Sequence, residues 1–243
     1  MNKQIKGHLH PMTQMINEIN SIFFDMGFEI ADGPEMESEH YNFDALNIPE
    51  NHPARGMQDT FWVKDKKSTV MRTHTSNVQI RYMQNNKPPL RIIAPGKVFR
   101  NEATDSTHEA QFYQVEAFMV DETTTLGTLK GVIKIFLEKF FNKDIDIRFR
   151  PSYFPFVEPG IEVDMSCFKC EGKGCSICKN TGWIEVLGAG MVHPNVLDGV
   201  GIDSKKYQGF AFGVGIDRLG MLKYGIDDVR LLYQGDLRFV NQF

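Results

Sequence analysis

Two segments constrain the fold of this chain more than any others, namely residues 98–120 and residues 209–218. The first contains V-F-R-N-E, then the polar loop A-T-D-S-T-H-E-A, then the alternating run Q-F-Y-Q-V-E-A-F-M-V, so it is typical of two strands joined by a loop. The second is a glycine-punctuated strand, G-F-A-F-G-V-G, that runs directly into I-D-R-L. The two segments contribute Arg100 and Arg218, and two such guanidinium groups can bind one polyphosphate.

The apolar spacing along the chain predicts a few helices among many strands. Helices are predicted at residues 11–26, from Thr75 or Ser76 onward, at residues 125–142 and at residues 216–224. Strands are predicted at residues 28–31, 90–93, 97–100, 111–120, 145–149, 160–165, 182–187 and 209–214, with A-P-G separating the second from the third. Because short turns rather than regular crossover helices join the strands, the sequence predicts one α+β domain with a mostly antiparallel sheet flanked by helices.

Size and composition exclude several classes of protein. With 243 residues and a hydrophobic content of 42%, the chain can bury one large core. It contains no run of about 18 apolar residues and no apolar stretch at its start, so we expect no membrane span, no secretory signal and a cytoplasmic location. A net charge of −4 argues against broad non-specific binding to nucleic acid, although an RNA can still dock on a local patch.

The residues around the two arginines indicate what kind of ligand they bind. A carboxylate beside a phosphate is repelled unless a metal ion or an amine lies between them. Glu102, two residues after Arg100, therefore predicts a magnesium ion or a hydrogen bond to an adenine amino group. The run G-x-G-x-x-R that ends at Arg218 differs from a dinucleotide-binding fingerprint, because arginine replaces the third glycine and too little chain follows for the second half of that fold.

All four cysteines lie between residues 167 and 178, where they form two C-x-x-C pairs. Four thiolates in tetrahedral geometry suit zinc, so Cys167, Cys170, Cys175 and Cys178 are predicted to hold a structural zinc ion in a small cysteine-rich hairpin. Since all four positions are cysteine, none is left for a catalytic water. The alternatives are an iron–sulfur cluster, thiols without a metal, and disulfides, of which the last are disfavoured in the cytosol.

Three other segments have simpler interpretations. The run K-D-K-K at residues 64–67 is expected to be a solvated hairpin tip, and the acidic residues Glu35, Glu37 and Glu39 are expected to form a solvated strand or an interface edge. The H-P pair at residues 193–194 is expected to shape a turn near the site.

Several long motifs occur together in this chain: N-F-D-A-L-N-I-P, H-P-A-R, D-T-F-W, R-T-H-T-S, R-I-I-A-P-G-K-V-F-R, F-P-F-V-E-P, G-A-G-M-V-H-P-N-V-L and G-F-A-F-G-V-G. Together they resemble the class II aminoacyl-tRNA synthetases, and among these the catalytic domain of bacterial phenylalanine–tRNA ligase α subunits. The resemblance identifies residues 1–243 as one such domain, with a four-cysteine zinc-knuckle hairpin inserted at residues 167–178. The N-terminal coiled coil of the family is expected to be absent from this chain.

The resemblance assigns roles to the class motifs. Residues 11–34 are similar to motif one, which builds the subunit interface. Residues 99–120 are similar to motif two, in which Arg100 grips the α-phosphate of ATP. Residues 209–218 are similar to motif three, in which Arg218 lies on the γ-phosphate side.

The resemblance also implies the remaining ATP-binding residues. His108 is expected to approach the triphosphate and to act with the two arginines in catalysis, and Phe112 is expected to stack on adenine. Glu185 matches an acidic position that helps to hold magnesium and ATP, and Glu102 is a second candidate ligand for Mg²⁺. The full implied ATP-binding set is Arg100, Glu102, His108, Phe112, Glu185 and Arg218.

The amino-acid pocket implied by the resemblance fits phenylalanine. Gln114 and Glu116 share one face of a strand and can receive the substrate ammonium. Phe154 and Phe156 can present ring edges to a substrate ring. Ala211 leaves room for an unsubstituted phenyl ring, whereas tyrosine would bury a hydroxyl at a cost of about 1–3 kcal/mol if unpaired. The full implied set is Trp62, His74, Ser76, Gln79, Gln114, Glu116, Phe154, Phe156, Val157 and Ala211.

The expected activity follows from the resemblance. It implies ATP-dependent activation of L-phenylalanine to phenylalanyl-adenylate and transfer to tRNA(Phe), in an α2β2 heterotetramer with a β subunit. Two alternatives remain. One is a paralogue that activates another amino acid or acylates something other than tRNA, against which the pocket residues argue. The other is a non-catalytic binding or regulatory module, against which the intact Arg100 and Arg218 argue.

Overall fold

The computed structural model describes residues 7–243, so the first six residues of the expected catalytic domain lie outside the described residues. The α-helices are α1 (Pro11–Asp25), α2 (Glu39–Asn42), α3 (Ser76–Asn85), α4 (Leu126–Phe141), α5 (Pro194–Gly199), α6 (Ile216–Tyr224) and α7 (Leu237–Val240). The strands are β1 (Glu29–Ile30), β2 (Met36–Ser38), β3 (Thr69–Met71), β4 (Leu90–Phe99), β5 (Gln111–Asp121), β6 (Ile147–Phe154), β7 (Val157–Ser166), β8 (Trp183–Val192) and β9 (Gln208–Gly215). Short 3-10 helices occupy Asp44–Leu46, Pro53–Arg55 and Val229–Leu232.

One large sheet organises the fold. Its strand order is β1-β4-β5-β9-β8-β7-β6, and β2 and β3 form a separate antiparallel pair. Within residues 7–243, every neighbouring pair in the large sheet is antiparallel except β1 with β4. The predicted α+β class with a mostly antiparallel sheet is therefore confirmed.

The predicted break in the fourth strand is wrong, because β4 continues through Pro95. On one side, Pro95 pairs with Val115 of β5. On the other side, β1 reaches only Ile92 and Ile93, and the last contact is the N–H of Ala31 donating to the carbonyl of Ile93 at 2.9 Å. Proline is tolerated where its missing N–H would face an open edge, so the strand persists and the pairing with β1 ends.

Two separate cores lie on the two faces of the large sheet. Helices α1, α4 and α6 cover one face and bury a cluster rich in phenylalanine, including Phe23, Phe136 and Phe212. The other face is covered by α3, α5 and the segment around Phe43 and Leu46. This second covering is incomplete, and the uncovered part of the sheet forms the floor of a cavity. Among the described residues, no helix combines the length and the apolar character needed to cross a membrane.

Helix α4 shows how local sequence sets an element. The side chain of Thr125 caps its first turn by accepting from the N–H of Thr128, and the Thr128 side chain accepts from the N–H of Thr125 in return. Its last residue is followed by Asn142, which adopts the left-handed conformation that asparagine tolerates. The prediction of residues 125–142 is confirmed, with the two end residues acting as caps.

The acidic run before α2 differs from its prediction. Glu37 is only 2% exposed and accepts hydrogen bonds from Nε and Nη2 of Arg81 at 2.9 and 2.6 Å. The guanidinium of Arg81 in turn lies 3.9 Å from the centre of the Tyr41 ring. The middle residue of β2 faces inward, so a solvated run is the wrong description of Glu37, whose buried carboxylate pairs with the half-buried guanidinium of Arg81.

Candidate active site

A cavity of about 610 Å³ opens on the face of the sheet that α3 and α5 cover only in part. Strand β5 brings polar residues to its wall, β9 brings small residues, and the turn between β6 and β7 brings aromatic residues. The predicted site residues that line it are His74, Ser76, Gln79, Arg100, Glu102, Gln114, Glu116, Phe154, Phe156, Val157, Glu185 and Ala211. Segments that are far apart in the sequence thus converge on one volume.

The alternation of β9 explains why the cavity has room. Phe210, Phe212 and Val214 point into the phenylalanine-rich core on the far side of the sheet. Ala211 and Gly213 lie between them and line the cavity. A Cβ at Gly213 would come within 2.6 Å of Nε2 of Gln114 and 3.0 Å of Cγ of Glu116, so a larger residue there would displace these two side chains.

One end of the cavity is apolar. The rings of Phe154 and Phe156 lie 5.9 Å apart and nearly parallel, at 21°. Phe154 packs over Gly188 of β8, where a Cβ would come 3.0 Å from the ring. Phe43 and Leu46, both at most 2% exposed, contribute to the same lining. The end formed in this way suits an aromatic group and offers few polar partners.

The other end of the cavity converges on the buried carboxylate of Glu116. Its donors are the N–H of Thr75 at 3.1 Å, the hydroxyl of Ser76, Nε2 of Gln79 at 2.7 Å and Nε2 of Gln114 at 3.2 Å. Burial raises the pKa of Glu116 to about 7, against the opposing effect of these hydrogen bonds. The carboxylate therefore has hydrogen-bond donors, but among the described residues it forms no ion pair within 4 Å, and Arg100 acts on it only at longer range.

Two further acceptors at this end are buried without partners. Nε2 of His74 is 3.0 Å from the carbonyl of Asn42. Burial, followed by repulsion from Arg100, lowers the pKa of His74 to about 4, so the ring is neutral near pH 7 and donates from Nε2. Nδ1 of His74 and Oε1 of Gln114 then have no donor in the described part of the chain. A ligand with several N–H groups would supply the hydrogen-bond donors that these acceptors lack.

The raised pKa of Glu116 predicts how stability varies with pH. The folded-state pKa of about 7 exceeds the ordinary value of 4.5, so the protonated carboxyl favours the folded state and that contribution is lost as pH rises from about 4.5 to about 7. The expected loss is about 3 kcal/mol of unfolding free energy. In urea unfolding between about pH 5 and about pH 8, the unfolding free energy of the wild type should fall relative to that of Glu116→Gln. The opposite contribution of His74 and the parallel contribution of Asp217 are common to both proteins and cancel in this difference. Parallel curves for the two proteins would contradict the prediction.

A second, smaller cavity of about 280 Å³ adjoins the first. Arg100 and Glu102 line both cavities, so they mark the place where the two meet. His108, Phe112 and Arg218 line the second cavity only. Both predicted phosphate-binding arginines therefore face one volume, although they are more than a hundred positions apart in the sequence.

Arg100 is anchored in a way that leaves most of its guanidinium available. Its Nε donates to the carbonyl of Thr73 at 3.1 Å, and its guanidinium carbon lies 5.1 Å from the centre of the Phe112 ring. Arg218 is exposed and forms no ion pair with any residue between positions 7 and 243. In the loop between β4 and β5, His108 is fixed by Asp105, whose carboxylate lies 3.0 Å from Nδ1.

Asp217 is a buried residue of the second cavity that the sequence analysis did not single out. Its carboxylate accepts from the N–H of Tyr113 at 2.7 Å and from the hydroxyl of Tyr233. Burial raises the pKa of Asp217 to about 6. The bond to Tyr113 ties the start of α6 to β5, and this tie sets where the next residue, Arg218, projects. The sequence shows an aspartate in the first turn of a predicted helix. That position predicts only a favourable interaction with the helix dipole, and not a contact with Tyr113 or Tyr233.

Two predicted site residues are placed differently from the others. Trp62 lies outside the cavity wall; its indole N–H donates to the carbonyl of Arg55 at 3.1 Å, and the ring packs against the second core. The carboxylate of Glu185 does line the cavity, but it accepts from Nη2 of Arg150 at 2.6 Å. Arg150 also pairs with Asp164, so Glu185 belongs to an ion-pair network in this structure.

The four cysteines form a compact cluster in the loop between β7 and β8. All four Sγ atoms lie within 4.8 Å of one another, and three pairs are 3.7–3.8 Å apart. A tetrahedron of thiolates at about 2.3 Å from a central ion has edges of roughly 3.8 Å, so these separations fit a metal ion. They are far longer than the roughly 2.05 Å of a disulfide, and all four cysteines are free. Among the described residues, no other group of three or more histidine, cysteine or acidic side chains could hold a metal ion.

Comparison with known proteins places this fold and site in a class. The family described as "tRNA synthetases class II core domain (F)" matches residues 1–243. The phenylalanine–tRNA ligase alpha subunit of Alkaliphilus metalliredigens is 57% identical over 237 residues, which cover 98% of this chain and 69% of that protein. The corresponding subunits of Caldanaerobacter subterraneus subsp. tengcongensis and Anoxybacillus flavithermus are each 56% identical, again over 98% of this chain and 69% of theirs.

The mostly antiparallel sheet with its flanking helices is thus that of a class II aminoacyl-tRNA synthetase core. Within that class, the chain belongs to the family of phenylalanine–tRNA ligase alpha subunits.

Proposed function

We propose that this chain activates L-phenylalanine with ATP to form phenylalanyl-adenylate and passes the phenylalanyl group to tRNA(Phe), as the catalytic part of an α subunit. The observation that carries the proposal is the junction of the two cavities at Arg100 and Glu102. A cavity large enough for an amino acid meets, at these two residues, a cavity lined by a second arginine, and the proposed reaction joins a carboxylate to an α-phosphate at that junction. Membership of the family supports the same reaction.

The first cavity suits phenylalanine at both of its ends. The substrate ammonium supplies the cation that Glu116 lacks and donors for the bare acceptors of Gln114 and His74. The phenyl ring lies against Phe154 and Phe156, where aromatic pairs contribute about 0.5–1.5 kcal/mol beyond area burial. Ser76, Gln79, Val157 and Ala211 complete this proposed set, and Trp62 is omitted because it lies outside the cavity wall.

Adenylate formation requires alignment and charge stabilisation. The carboxylate oxygen of phenylalanine attacks the α-phosphorus of ATP, a new O–P bond forms, and the bond to pyrophosphate breaks, so the pyrophosphate leaves with the electron pair. Arg100 stabilises charge at the α-phosphate, while Arg218 and His108 bind the outgoing phosphates and Phe112 supports the adenine. Alignment of two reactants can account for about 7–11 kcal/mol of a barrier.

Magnesium fits the site as a companion of ATP. Glu102 and Glu185 are the two proposed protein ligands, and both line the first cavity. Among residues 7–243, no third histidine, cysteine or acidic side chain lies close enough to complete a metal site with them, which suits an ion that takes its other ligands from phosphates and water. Bound Mg²⁺ supplies charge neutralisation of the triphosphate.

Proposed partners follow from the reaction and from the family. The relatives are named as alpha subunits, which supports a β subunit as the partner of this chain and an α2β2 heterotetramer as the assembly. The acceptor of the phenylalanyl group is the 3′-terminal ribose of tRNA. A cytoplasmic location is part of the proposal, because ATP and tRNA are used there during protein synthesis.

Zinc is the metal that we propose for the cysteine cluster, in a structural role. The hairpin packs against the main core, since Cys167 and Cys178 are buried and the ring of Phe168 stacks 5.4 Å from that of Phe141 on α4. Backbone N–H groups of Gly174 and Gly182 donate to cysteine sulfurs at 3.2 and 3.3 Å, which favours thiolates. The cluster is a separate feature from the two cavities.

Removal of one cysteine is expected to remove the metal and to destabilise the protein. Purified wild-type protein should contain about one zinc ion per chain, whereas Cys170→Ser should contain little zinc and unfold at a lower temperature. The matched control is Ser176→Ala, because Ser176 lies in the same hairpin but is not one of the proposed zinc ligands. Metal analysis and thermal unfolding of the three proteins measure both effects. Wild-type protein without zinc would contradict the zinc proposal, and iron in its place would indicate a cluster.

Amino-acid-dependent exchange of pyrophosphate into ATP tests the proposed function. The chain, co-expressed with its β subunit, should catalyse exchange with phenylalanine and much more weakly with tyrosine or leucine. A different preferred amino acid would indicate a paralogue with another specificity. No exchange with any amino acid, by a protein that still binds ATP, would indicate a binding or regulatory module instead.

A further inference from the structure

Asn47 links three segments at the apolar end of the first cavity. Its Nδ2 donates to the carbonyl of Pro155 at 2.7 Å, and its Oδ1 accepts from Nδ2 of Asn195 at 3.0 Å. Pro155 is the buried middle residue of the turn that carries Phe154 and Phe156. The motifs N-F-D-A-L-N-I-P, F-P-F-V-E-P and M-V-H-P-N-V-L, which are far apart in the sequence, therefore meet at one amide side chain.

The turn needs such a contact, because strand pairing alone does not fix it. The pairing of β6 with β7 changes register between Ser152 and Phe154, immediately before the turn. Within the turn, the carbonyl of Phe156 accepts from the N–H of His193 at 2.9 Å. The carbonyl before it is the one that Asn47 holds. Two consecutive carbonyls are thus fixed from two different segments, and with them the positions of the two rings.

The backbone around Asn47 presents its amide in a defined position. Asn47 follows the 3-10 helix Asp44–Leu46 and has φ 58° and ψ 22°, in the left-handed region that asparagine tolerates better than most residues. Its N–H donates to the carbonyl of Asp44 at 3.0 Å. Its neighbours Leu46 and Ile48 are buried and line the cavity. Fixed packing on both sides leaves the side chain little freedom.

We propose that Asn47 is a positioning residue for the aromatic wall of the amino-acid pocket, an inference that rests on the proposed function. By holding the carbonyl of Pro155, it sets the distance from Phe154 and Phe156 to Ala211 on the opposite wall. Asn47 touches neither ATP nor the reacting atoms, so its effect reaches the substrate only through the two rings. Asn195 adds a weaker contact, because its hydrogen bond is exposed to water.

The test replaces Asn47 with glycine, which keeps the left-handed backbone without strain and removes the amide. In pyrophosphate exchange with the β subunit present, Asn47→Gly is expected to raise KM for phenylalanine about five- to tenfold, as the loss of one hydrogen bond predicts. KM for ATP and kcat should stay within about twofold, and the preference for phenylalanine over tyrosine should fall. Asn47→Asp, which loses the donor to Pro155, should show the same pattern.

Asn142→Gly is the matched control. Asn142 is also a left-handed asparagine, with φ 51°, but it is exposed at the end of α4 and lines neither cavity. Asn142→Gly should lower the stability of the protein by about as much as any asparagine-to-glycine substitution at such a position. It should leave KM for phenylalanine unchanged.

Two outcomes overturn the inference while leaving the proposed function in place. In the first, the wild-type enzyme catalyses phenylalanine-dependent exchange, but Asn47→Gly and Asn142→Gly have the same KM for phenylalanine. The other is a variant in which kcat and both KM values worsen together with a large loss of melting temperature, which would indicate a merely structural role. A wild-type enzyme without phenylalanine-dependent exchange would instead remove the proposed function, and the inference with it.

Discussion

An Arg100→Ala variant is expected to lose about 10³-fold in kcat for phenylalanine-dependent pyrophosphate exchange, which is the upper range for removal of one group that stabilises developing charge. Arg100 lies where the two cavities meet, so the proposed function places it beside both the amino acid and the nucleotide. Its only hydrogen bond to protein uses Nε, to the carbonyl of Thr73, among the described residues. The other N–H groups are free for phosphate oxygens.

The matched control for this loss is Arg91→Ala on the same strand. Arg91 lies toward the other end of β4 and makes a partly exposed ion pair with Asp121 at 3.7 Å. Because such pairs contribute about 0–1 kcal/mol, the control should fold and keep kcat within about twofold. Equal kcat values for Arg100→Ala and Arg91→Ala would show that Arg100 does not act on the reacting phosphate.

Glu116→Gln is expected to lower kcat/KM for phenylalanine by about 10²- to 10³-fold, or about 3–4 kcal/mol, the cost of leaving a buried charge unpaired. Glutamine keeps the size and one acceptor, but it cannot neutralise the substrate ammonium. KM for ATP should change little, because Glu116 lines the first cavity and not the second.

The control for Glu116 is Glu122→Gln. Glu122 is an exposed residue just beyond the end of β5, paired with Lys206 at 3.2 Å. It should leave kcat/KM for phenylalanine unchanged within about twofold. If Glu116→Gln binds phenylalanine as well as this control does, the ammonium is held elsewhere and the polar end of the cavity has another occupant.

Elements with a clear local pattern were predictable from the sequence. The alternation of β5 predicted that Phe112, Gln114, Glu116 and Phe118 share one face, and the register of β5 against β4 and β9 confirms it. The helical periodicity and end residues of α4 were equally informative. These predictions succeeded because side-chain period and capping depend on neighbours in the sequence.

Other features depend on distant segments and gave no local signal. Pro95 led to the prediction of a break between two strands. In the structure β1 ends before Pro95, so that side of β4 is open and the strand continues, and the sequence alone does not reveal this. The inward orientation of Glu37 depends on Arg81, whose helix packs against β2 only in the folded chain. The contact of Asn47 with Pro155 joins positions more than a hundred residues apart. Local patterns cannot specify such pairs.

The residue pattern singled out Arg100, Glu102 and Arg218, whereas the amino-acid pocket and the other ATP-binding residues were predicted by resemblance. The structure brings all but one of the implied amino-acid-binding residues to the first cavity and leaves Trp62 outside it. It also separates the implied ATP-binding residues: Arg100 and Glu102 lie at the junction, His108, Phe112 and Arg218 line the second cavity, and Glu185 lines only the first. The pKa values of Glu116 and His74 follow from burial, which the sequence does not reveal. The catalytic roles of these residues stay predictions.

A crystal structure of the enzyme with a non-hydrolysable phenylalanyl-adenylate analogue tests the central claim most directly. The account predicts the phenyl ring between the Phe154–Phe156 pair and Ala211, the ammonium on Glu116, the phosphate on Arg100, and the adenine side in the cavity that contains Arg218. An analogue bound with its ring away from the phenylalanine pair, or with its phosphate out of reach of Arg100, would contradict it.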